Sequence, residues 1–326
     1  MDVLWLNQSD VKDVLDMASA MDVVEKAFEQ HGLKKVQMPP KLYLYFEKHN
    51  GDLRTMPAFL EEQDISGVKI VNVHPDNRNM GLPTVMALFV LNSTSTGEPL
   101  CVMDATYLTD VRTGAAGGIA AKHLARPDSS VVGMAGVGNQ ARTQLMAISH
   151  VFDIEQVRIT SRNPANCKAF EKDMSQFLDC EFFMAPDIEG VCDCDILVTT
   201  TPVRNPIIRP EWVKEGTHIN AIGADAMGKQ ELDSSLLLKA KVVVDDILQA
   251  SHSGEVNVPI STGVFSEGDI YCELGEVIAG VKSGRADDSE ITVFDSTGLA
   301  IQDLATGNLI YEKAVKKGLG SRLNMF

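Results

Sequence analysis

The chain of 326 residues lacks several features that mark particular classes of protein. Its longest apolar runs, such as VMALFVL at 85–91, fall far short of the roughly 20 residues that a membrane-spanning helix needs. Six cysteines are too few for a disulfide scaffold. The acidic start MDVLWLNQSD has neither the basic nor the apolar region of a signal peptide. These absences favour a cytoplasmic globular protein that does not associate with a membrane.

Positive charge is also scarce, since 29 Lys and Arg face 45 Asp and Glu and the net charge is −16. A protein that binds nucleic acid or an anionic membrane surface needs a basic face, so the acidic charge argues against both classes. The spacing C-x-C at Cys192 and Cys194 lacks a second Cys or His pair, and we expect a loop there and no metal site. A few local cations would still suffice to bind a small anion.

The order of sequence patterns predicts two kinds of architecture. A helical pattern over 11–32 is followed by the hairpin pattern KLYLYF-EKHNGD-LRTMPAF and by further apolar strands up to residue 105. From about residue 130, short apolar strands alternate with helices, which is typical of a doubly wound parallel sheet. The amphipathic segment 299–318 is predicted to return to the first domain. The fold class is therefore α/β, a Rossmann-type sheet plus an α+β domain.

A glycine-rich loop joins the first strand of the alternating region to its helix. Its sequence, Gly136-Val137-Gly138-Asn139-Gln140-Ala141, is the G-x-G-x-x-A pattern of dinucleotide-binding proteins. Gly136 permits the tight turn, Gly138 lets the backbone approach a pyrophosphate, and the helix N-terminus offers N–H groups to it. We therefore expect a bound NAD or NADP.

The residues after the next strand concern the choice between these two cofactors. An acidic residue there usually holds the ribose 2′-hydroxyl of NAD, but this strand ends in Ser161 and Arg162. An arginine suits a phosphate, so the pair favours NADP or loose discrimination, and both cofactors remain open.

Four cations lie in apolar strand patterns or in a helix of small residues: Lys41, Arg54, Lys69 and Arg112. Burying a charge is costly, so such positions suggest a site for an anionic substrate. Lys69 stands between Val68 and Ile70, and a desolvated lysine has the lowered pKa that acid–base chemistry needs. The alternative is that these side chains reach solvent from edge strands.

These segments together resemble one protein family over nearly the whole chain. The motifs MPPKLYLYF, GDLRTMPAFL, VKIVNVHP, TDVRTGAAGGIAAKHLA, AGVGNQA, HINAIGADAMGKQELD and TVFDSTGLAIQD are similar to the ornithine cyclodeaminase/mu-crystallin family, and most of all to its archaeal alanine dehydrogenases. The resemblance implies a dinucleotide-binding domain over 116–299. It also implies a substrate-binding and dimerisation domain formed by 1–115 and 300–326, and a homodimer.

The resemblance also implies roles for individual residues. Lys41, Lys69 and Arg112 would hold the substrate carboxylate, with Lys69 as proton donor and acceptor, and Asp225 would face the substrate amine. The positions implied to contact the cofactor are Arg112, Asn139, Gln140, Ser161, Arg162, Ala221, Ile222, Gly223 and Ser296.

Arg54 separates the possible activities. Family members similar to ornithine cyclodeaminases carry glutamate at this position, where an arginine would repel a second substrate amine by about 4 kcal/mol at an effective dielectric constant of about 20. The expected reaction is the reversible NAD(P)-dependent conversion of L-alanine to pyruvate and ammonia. Three alternatives remain: an NADPH-dependent ketimine or pyrroline-2-carboxylate reductase, an ornithine cyclodeaminase, and a cofactor-loaded binding protein without turnover.

Overall fold

The computed structural model describes residues 2–325, which form two compact units. The first unit comprises Met1–Arg112 with Leu299–Phe326, and the second comprises Thr113–Gly298. The division falls inside helix α3 (Thr106–Leu124). Within residues 2–325, none of the helices combines the length and apolar character that a membrane span demands.

The first unit is built from one sheet and helices that cover one of its faces. Its strands are β1 (Asp2–Leu6), β2 (Val36–Gln37), β3 (Leu42–Phe46), β4 (Gly51–Leu60), β5 (Ile65–Val73), β6 (Val85–Ser93), β7 (Pro99–Asp104) and β16 (Ser321–Asn324). Its helices are α1 (Gln8–Lys12), α2 (Met17–Gly32), the start of α3, and α11 (Ala300–Lys317). The strand order is β16-β1-β7-β6-β5-β4-β2, and β3 pairs with β4.

The prediction of one continuous helix over 11–32 is wrong. Asn7 caps α1 by accepting from the backbone of Ser9 and Asp10, and the chain then leaves the helix after Lys12. Asp16 starts α2 by accepting a hydrogen bond from the Ser19 backbone at 2.8 Å. An aspartate that caps a new helix turn competes with continuation of the preceding one.

The predicted hairpin over 41–59 is confirmed. β3 and β4 pair antiparallel with Tyr43 opposite Arg54, and β4 pairs with β5 so that Met56 lies opposite Lys69. Lys69 in turn lies opposite Phe89 of β6. Since paired residues point to the same face, Lys69 is placed between two apolar side chains on the face that α11 packs against.

The second unit is the doubly wound domain. Its strands are β8 (Val131–Ala135), β9 (Gln156–Thr160), β10 (Glu181–Met184), β11 (Ile196–Thr199), β12 (His218–Ala221), β13 (Lys241–Val244), β14 (Cys272–Glu273) and β15 (Thr292–Asp295). Its helices are the rest of α3, α4 (Asn139–Ser149), α5 (Pro164–Met174), α6 (Glu189–Cys192), α7 (Ser234–Leu237), α8 (Ile247–Ser253), α9 (Asn257–Ser261) and α10 (Leu274–Ile278). The strands pair in parallel in the order β10-β9-β8-β11-β12-β15-β13-β14.

This strand order confirms the predicted fold class and locates a switch point. From β8 the chain proceeds first to β9 and β10 on one side and then to the five strands β11 to β15 on the other. In such sheets ligands bind outside the carboxyl ends of the strands where the order reverses, which here lies between β8 and β11.

The glycines of α3 have a packing reason. A Cβ on Gly117 would lie 1.8 Å from Oε1 of Gln144, and a Cβ on Gly118 would lie 2.7 Å from that of Ala147. Both neighbours belong to α4, so the two helices approach each other more closely than alanine would allow.

The segment with Cys192 and Cys194 differs from the predicted loop, because Cys192 ends the short helix α6. Both thiols are buried, and burial raises the pKa of Cys192 to about 12 and that of Cys194 well above its usual value. Since metal ligation needs the thiolate, these cysteines serve the core of the second unit.

Candidate active site

Lys69 is a charged side chain in the core of the first unit. It is only 1% exposed, and its Nζ donates a hydrogen bond to Oδ1 of Asp303 at 2.7 Å. Burial, followed by the charge of Arg112, lowers the pKa of Lys69 from 10.5 to about 7, although Asp303 opposes the shift. Lys69 therefore exchanges its proton near neutral pH, as an acid–base group must.

Arg112 is bound to the same carboxylate from a different element. Its Nε donates to Oδ1 of Asp303 at 2.9 Å, and its Nη1 donates to Oε1 of Gln302 at 2.6 Å. Thus one oxygen of Asp303 accepts hydrogen bonds from both Lys69 and Arg112. Two cations share one anion, so the group retains a positive charge that suits a substrate carboxylate.

Lys41 lies within electrostatic range of this group, since its charge also lowers the pKa of Lys69. It precedes β3 and is partly exposed. Lys41, Lys69 and Arg112, the three cations expected to hold a carboxylate, are thus brought into one electrostatic group by the first unit.

Arg54 is held separately. Its Nε donates to Oδ1 of Asp52 at 2.7 Å, its Nη2 donates to Oδ2 at 3.2 Å, and its guanidinium lies 5.3 Å from the ring centre of Tyr43. The expected repulsion of a diamine assumed an uncompensated guanidinium. Asp52 offsets most of that charge, so the figure of about 4 kcal/mol is an upper bound for this site.

Sequence reasoning missed Asp303. The sequence did contain an indication of its burial, because Asp303 lies in the apolar pattern of the last helix, next to Leu304 and one turn from Ala300. Asp303 is fully buried, and burying such a group requires a cationic partner. No local pattern indicates that the partner is Lys69, which is 234 residues away in the chain.

The glycine loop of the second unit has the geometry that a dinucleotide requires. Gly136 has a φ of +100°, and a Cβ there would lie 2.9 Å from Oγ1 of Thr200. A Cβ on Gly138 would meet nothing within 4 Å, so the space beside its backbone is open. Helix α4 starts at Asn139 with no side-chain cap. The open space and the uncapped N–H groups fit a pyrophosphate.

Most of the remaining residues expected to contact the cofactor lie at or just after the carboxyl ends of three strands of the second unit's sheet, β9, β12 and β15. Ser161 and Arg162 come directly after β9, and Arg162 is exposed. Ala221 ends β12, and Ile222 and Gly223 follow it; Ser296 comes after β15. The buried hydroxyl oxygens of Ser296 and Thr200 have no hydrogen-bond partner among residues 2–325, so they are available to a ligand. Gln140 lies in the first turn of α4.

Glu231 organises two of these loops and was not predicted. Its carboxylate accepts hydrogen bonds from the Thr201 backbone at 2.6 Å, the Gly223 backbone at 2.8 Å and the Thr199 hydroxyl at 2.7 Å. Burial raises the pKa of Glu231, while these hydrogen bonds oppose the rise. Glu231 thereby ties the loop after β11 to the loop after β12.

Asp225 lies on the loop after β12, two residues beyond Gly223. Its side chain is 37% exposed and accepts a hydrogen bond from Nζ of Lys229, four residues further on in the same loop. Asp225 is thus a solvent-accessible carboxylate on the loop that Glu231 holds in place.

The sequence is similar to those of known proteins over nearly the whole chain. The family model for the ornithine cyclodeaminase/mu-crystallin family matches residues 1–318. An alanine dehydrogenase of Archaeoglobus fulgidus is 54% identical over 327 residues, covering 100% of this chain and 99% of the relative.

Two solved structures are similar over their whole length. An archaeal alanine dehydrogenase dimer with bound NAD is 53% identical, with a TM-score of 0.96 and 100% of both chains covered. The Delta(1)-pyrroline-2-carboxylate reductase of Thermococcus litoralis, in complex with NADH and L-proline, is 40% identical, with a TM-score of 0.95 and 98% of this chain and 100% of the other covered. The chain belongs to the ornithine cyclodeaminase/mu-crystallin family.

Proposed function

We propose that the protein is an NAD(P)-dependent oxidoreductase that converts L-alanine reversibly to pyruvate and ammonia. The observation that carries the proposal is the buried Lys69, whose pKa lies near 7 and which shares the Asp303 carboxylate with Arg112. This arrangement combines carboxylate recognition with proton exchange. The choice of alanine is supported by the 54% identity to the Archaeoglobus alanine dehydrogenase.

The dinucleotide would be held by the second unit and, when bound, supplies a hydride acceptor. The backbone at Gly136 and Gly138 and the start of α4 take the pyrophosphate. Ser161 and Arg162, directly after β9, would hold the adenosine ribose, and Arg162 would accept a 2′-phosphate there. Both NAD and NADP are therefore substrates, and Arg162→Ala weakens NADP more than NAD. Equal losses for the two cofactors in a binding titration would contradict this assignment.

The residues of the first unit act on the substrate carboxylate. When Lys69 is protonated, it and Arg112 carry two positive charges against the one negative charge of Asp303, and Lys41 adds a third cation in range. A monoanionic amino acid or 2-oxo acid neutralises this excess. Because its pKa is close to neutrality, Lys69 can also give and take a proton during turnover.

The reaction balances with water as the further reactant. In alanine with a neutral amine, the Cα–H bond breaks and its electron pair leaves as hydride to the dinucleotide acceptor, while the nitrogen lone pair forms the C=N bond of an iminium. Water then forms a C–O bond to that carbon. One of the two water protons passes to the nitrogen and the other is removed, so that the C–N bond breaks with its electrons on the nitrogen, ammonia leaves and the C=O bond of pyruvate forms. Asp225, on its accessible loop, has the negative charge to stabilise the iminium, and Lys69 has the pKa to exchange the proton.

A second candidate function is the NADPH-dependent reduction of a cyclic imine. It is favoured by Ser161 and Arg162 and by the similarity to the Thermococcus reductase. Cyclodeaminase activity is disfavoured by Arg54, though less strongly now that Asp52 pairs with it. Incubation with L-alanine plus NAD or NADP, pyrroline-2-carboxylate plus NADPH, and ornithine plus NAD separates the three. Turnover of the imine without turnover of alanine would select the reductase.

The assembly we propose is a homodimer formed through the uncovered face of the first unit's sheet. Paired positions place apolar side chains side by side on this face: Leu42, Leu44, Leu53, Ile70, Met86, Leu88 and Val90. Leu88 is 43% exposed. Apolar faces of this kind mark interaction sites, and the similar archaeal alanine dehydrogenase is a dimer.

Light scattering during gel filtration tests this assembly. Leu88→Glu places a charge in the apolar face and is expected to give monomers. Leu248→Glu, at an exposed apolar position of the second unit, is the matched control and is expected to leave the mass unchanged. A dimer of Leu88→Glu with wild-type affinity would refute this interface.

A further inference from the structure

Three elements far apart in the chain meet at one carboxylate oxygen. Lys69 comes from β5, Arg112 from α3 and Asp303 from α11. Oδ1 of Asp303 accepts from Nζ of Lys69 at 2.7 Å and from Nε of Arg112 at 2.9 Å, and all three side chains are buried. Two like charges lie side by side only because this anion contacts both.

We infer that Asp303 is a positioning residue of the active site, which fixes the Lys69 ammonium beside the Arg112 guanidinium and sets the charge of the pair. The inference rests on the proposed function for the identity of the substrate, but the geometry is independent of it. Asp303 acts through Lys69 and Arg112 and need not touch the substrate.

Among the charged groups around Lys69, Asp303 is the carboxylate that favours its protonated form. Arg112 of α3 and Lys41, before β3, both disfavour its protonated form, and Asp303 of α11 favours it. The neighbours in β4 and β6, Met56 and Phe89, are apolar. Of the three charged groups with the largest influence on Lys69, Asp303 alone stabilises the ammonium.

A second observation distinguishes Asp303 from a carboxylate that only closes a salt bridge. Its other oxygen, Oδ2, is buried and has no hydrogen-bond partner among residues 2–325. The same is true of Nε2 of Gln302 and Oγ1 of Thr306, which flank it on α11. A structural ion pair in a core normally has its polar atoms satisfied. Polar atoms without a partner are expected beside Asp303 if the hydrogen bonds and charges around it must change when a ligand binds.

The test reads the protonation of Lys69 directly, without a substrate. The full chain is labelled with ¹³C at the lysine ε-carbons, and the Lys69 resonance is identified by its loss in Lys69→Met. In Asp303→Asn the titration midpoint of Lys69 should fall by about 1 to 3 pH units, because an opposite charge in contact has been removed. Asp52→Asn, which removes a carboxylate that pairs with Arg54 instead, should leave the midpoint unchanged. An unchanged midpoint in Asp303→Asn would overturn the inference.

Asp303→Glu covers the case in which Asp303→Asn does not fold. It keeps the charge but displaces it, so the Lys69 midpoint should stay near the wild-type value while kcat/KM falls by about tenfold or more. Unchanged kcat/KM in this variant would overturn the positioning role.

The pH profile links the inference to catalysis. The pH profile of kcat/KM is measured with any substrate that the wild type turns over. In Asp303→Asn, the midpoint of the part of this profile that reports Lys69 should shift by as many pH units as the titration midpoint of the Lys69 resonance. If no substrate is turned over, the proposed function fails while the resonance still decides the role of Asp303. If the titration midpoint of Lys69 shifts and the pH profile of kcat/KM does not, Asp303 does not act through Lys69 in catalysis and the inference is overturned.

Discussion

Gly136 and Gly138 lie in the same loop, but a side chain is hindered at Gly136 and has open space at Gly138. Alanine substitutions at the two positions therefore distinguish effects on folding from effects on cofactor binding. Gly138 has φ −79° and ψ −165°, which any residue adopts, and a Cβ there would meet nothing within 4 Å. Gly138→Ala should therefore raise the free energy of unfolding by about 0.4–1 kcal/mol, because it restricts the unfolded chain. Gly136 has φ +100° and little space, so Gly136→Ala should lower stability by about 1–3 kcal/mol.

Cofactor binding should change in the other direction for Gly138→Ala. The added methyl group occupies the open space beside the uncapped start of α4, where the pyrophosphate would approach. NADH affinity should fall at least about tenfold, which corresponds to about 1.4 kcal/mol. Urea unfolding measures the stability, and the fluorescence of bound NADH measures the affinity. Wild-type NADH affinity in Gly138→Ala, or a loss of stability in it, would refute this account of the loop.

Three further predictions concern buried groups. Because the pKa of Lys69 is lowered from 10.5 to about 7 in the folded chain, the unfolded chain binds more protons between these values. The free energy of unfolding should therefore rise with pH by about 2 kcal/mol between about pH 7 and pH 9. Lys69→Met, measured by urea unfolding, should lack this rise, and equal slopes in the two proteins would contradict the burial of the charge. Glu231→Gln replaces a carboxylate that accepts several hydrogen bonds by an amide that also donates. It should lower the free energy of unfolding by about 1–3 kcal/mol and weaken the binding of NADH. The exposed control Glu211→Gln should change neither quantity. Gly118→Ala places a methyl group 2.7 Å from Cβ of Ala147 and 2.9 Å from its backbone carbonyl carbon, so it should lower stability by about 1–3 kcal/mol in thermal unfolding. An unchanged melting temperature would show that α3 and α4 separate freely.

Local patterns were sufficient to predict most of the fold. The alternation of strands and helices after residue 130 fixes a parallel sheet, and the G-x-G-x-x-A loop marks where its first helix starts. The hairpin of β3 and β4 follows from its alternating residues and turn. The split between α1 and α2 was missed, since the helical period continues through Asp16 although Asp16 caps a new helix. β16 was missed because SRLN carries no strand pattern and forms only by pairing with β1.

The candidate site was predictable one residue at a time, but its pairings were not. A lysine between Val68 and Ile70 signals burial without naming its counter-ion, which is 234 residues away. Arg54 was recognised as a cation, yet its charge is offset by Asp52 only two residues before it. In a strand such neighbours share a face, so this pair was within reach of the sequence. The substrate and cofactor roles of these residues remain predictions.

The central claim is that Lys69 supports the oxidation of L-alanine by NAD or NADP. The most direct test follows the absorbance of reduced nicotinamide with wild type and Lys69→Ala, together with NADH binding to both. The account predicts that the wild type reduces the cofactor in the presence of alanine, and that Lys69→Ala loses this turnover while it binds NADH as before. Undiminished alanine oxidation by Lys69→Ala would contradict the account.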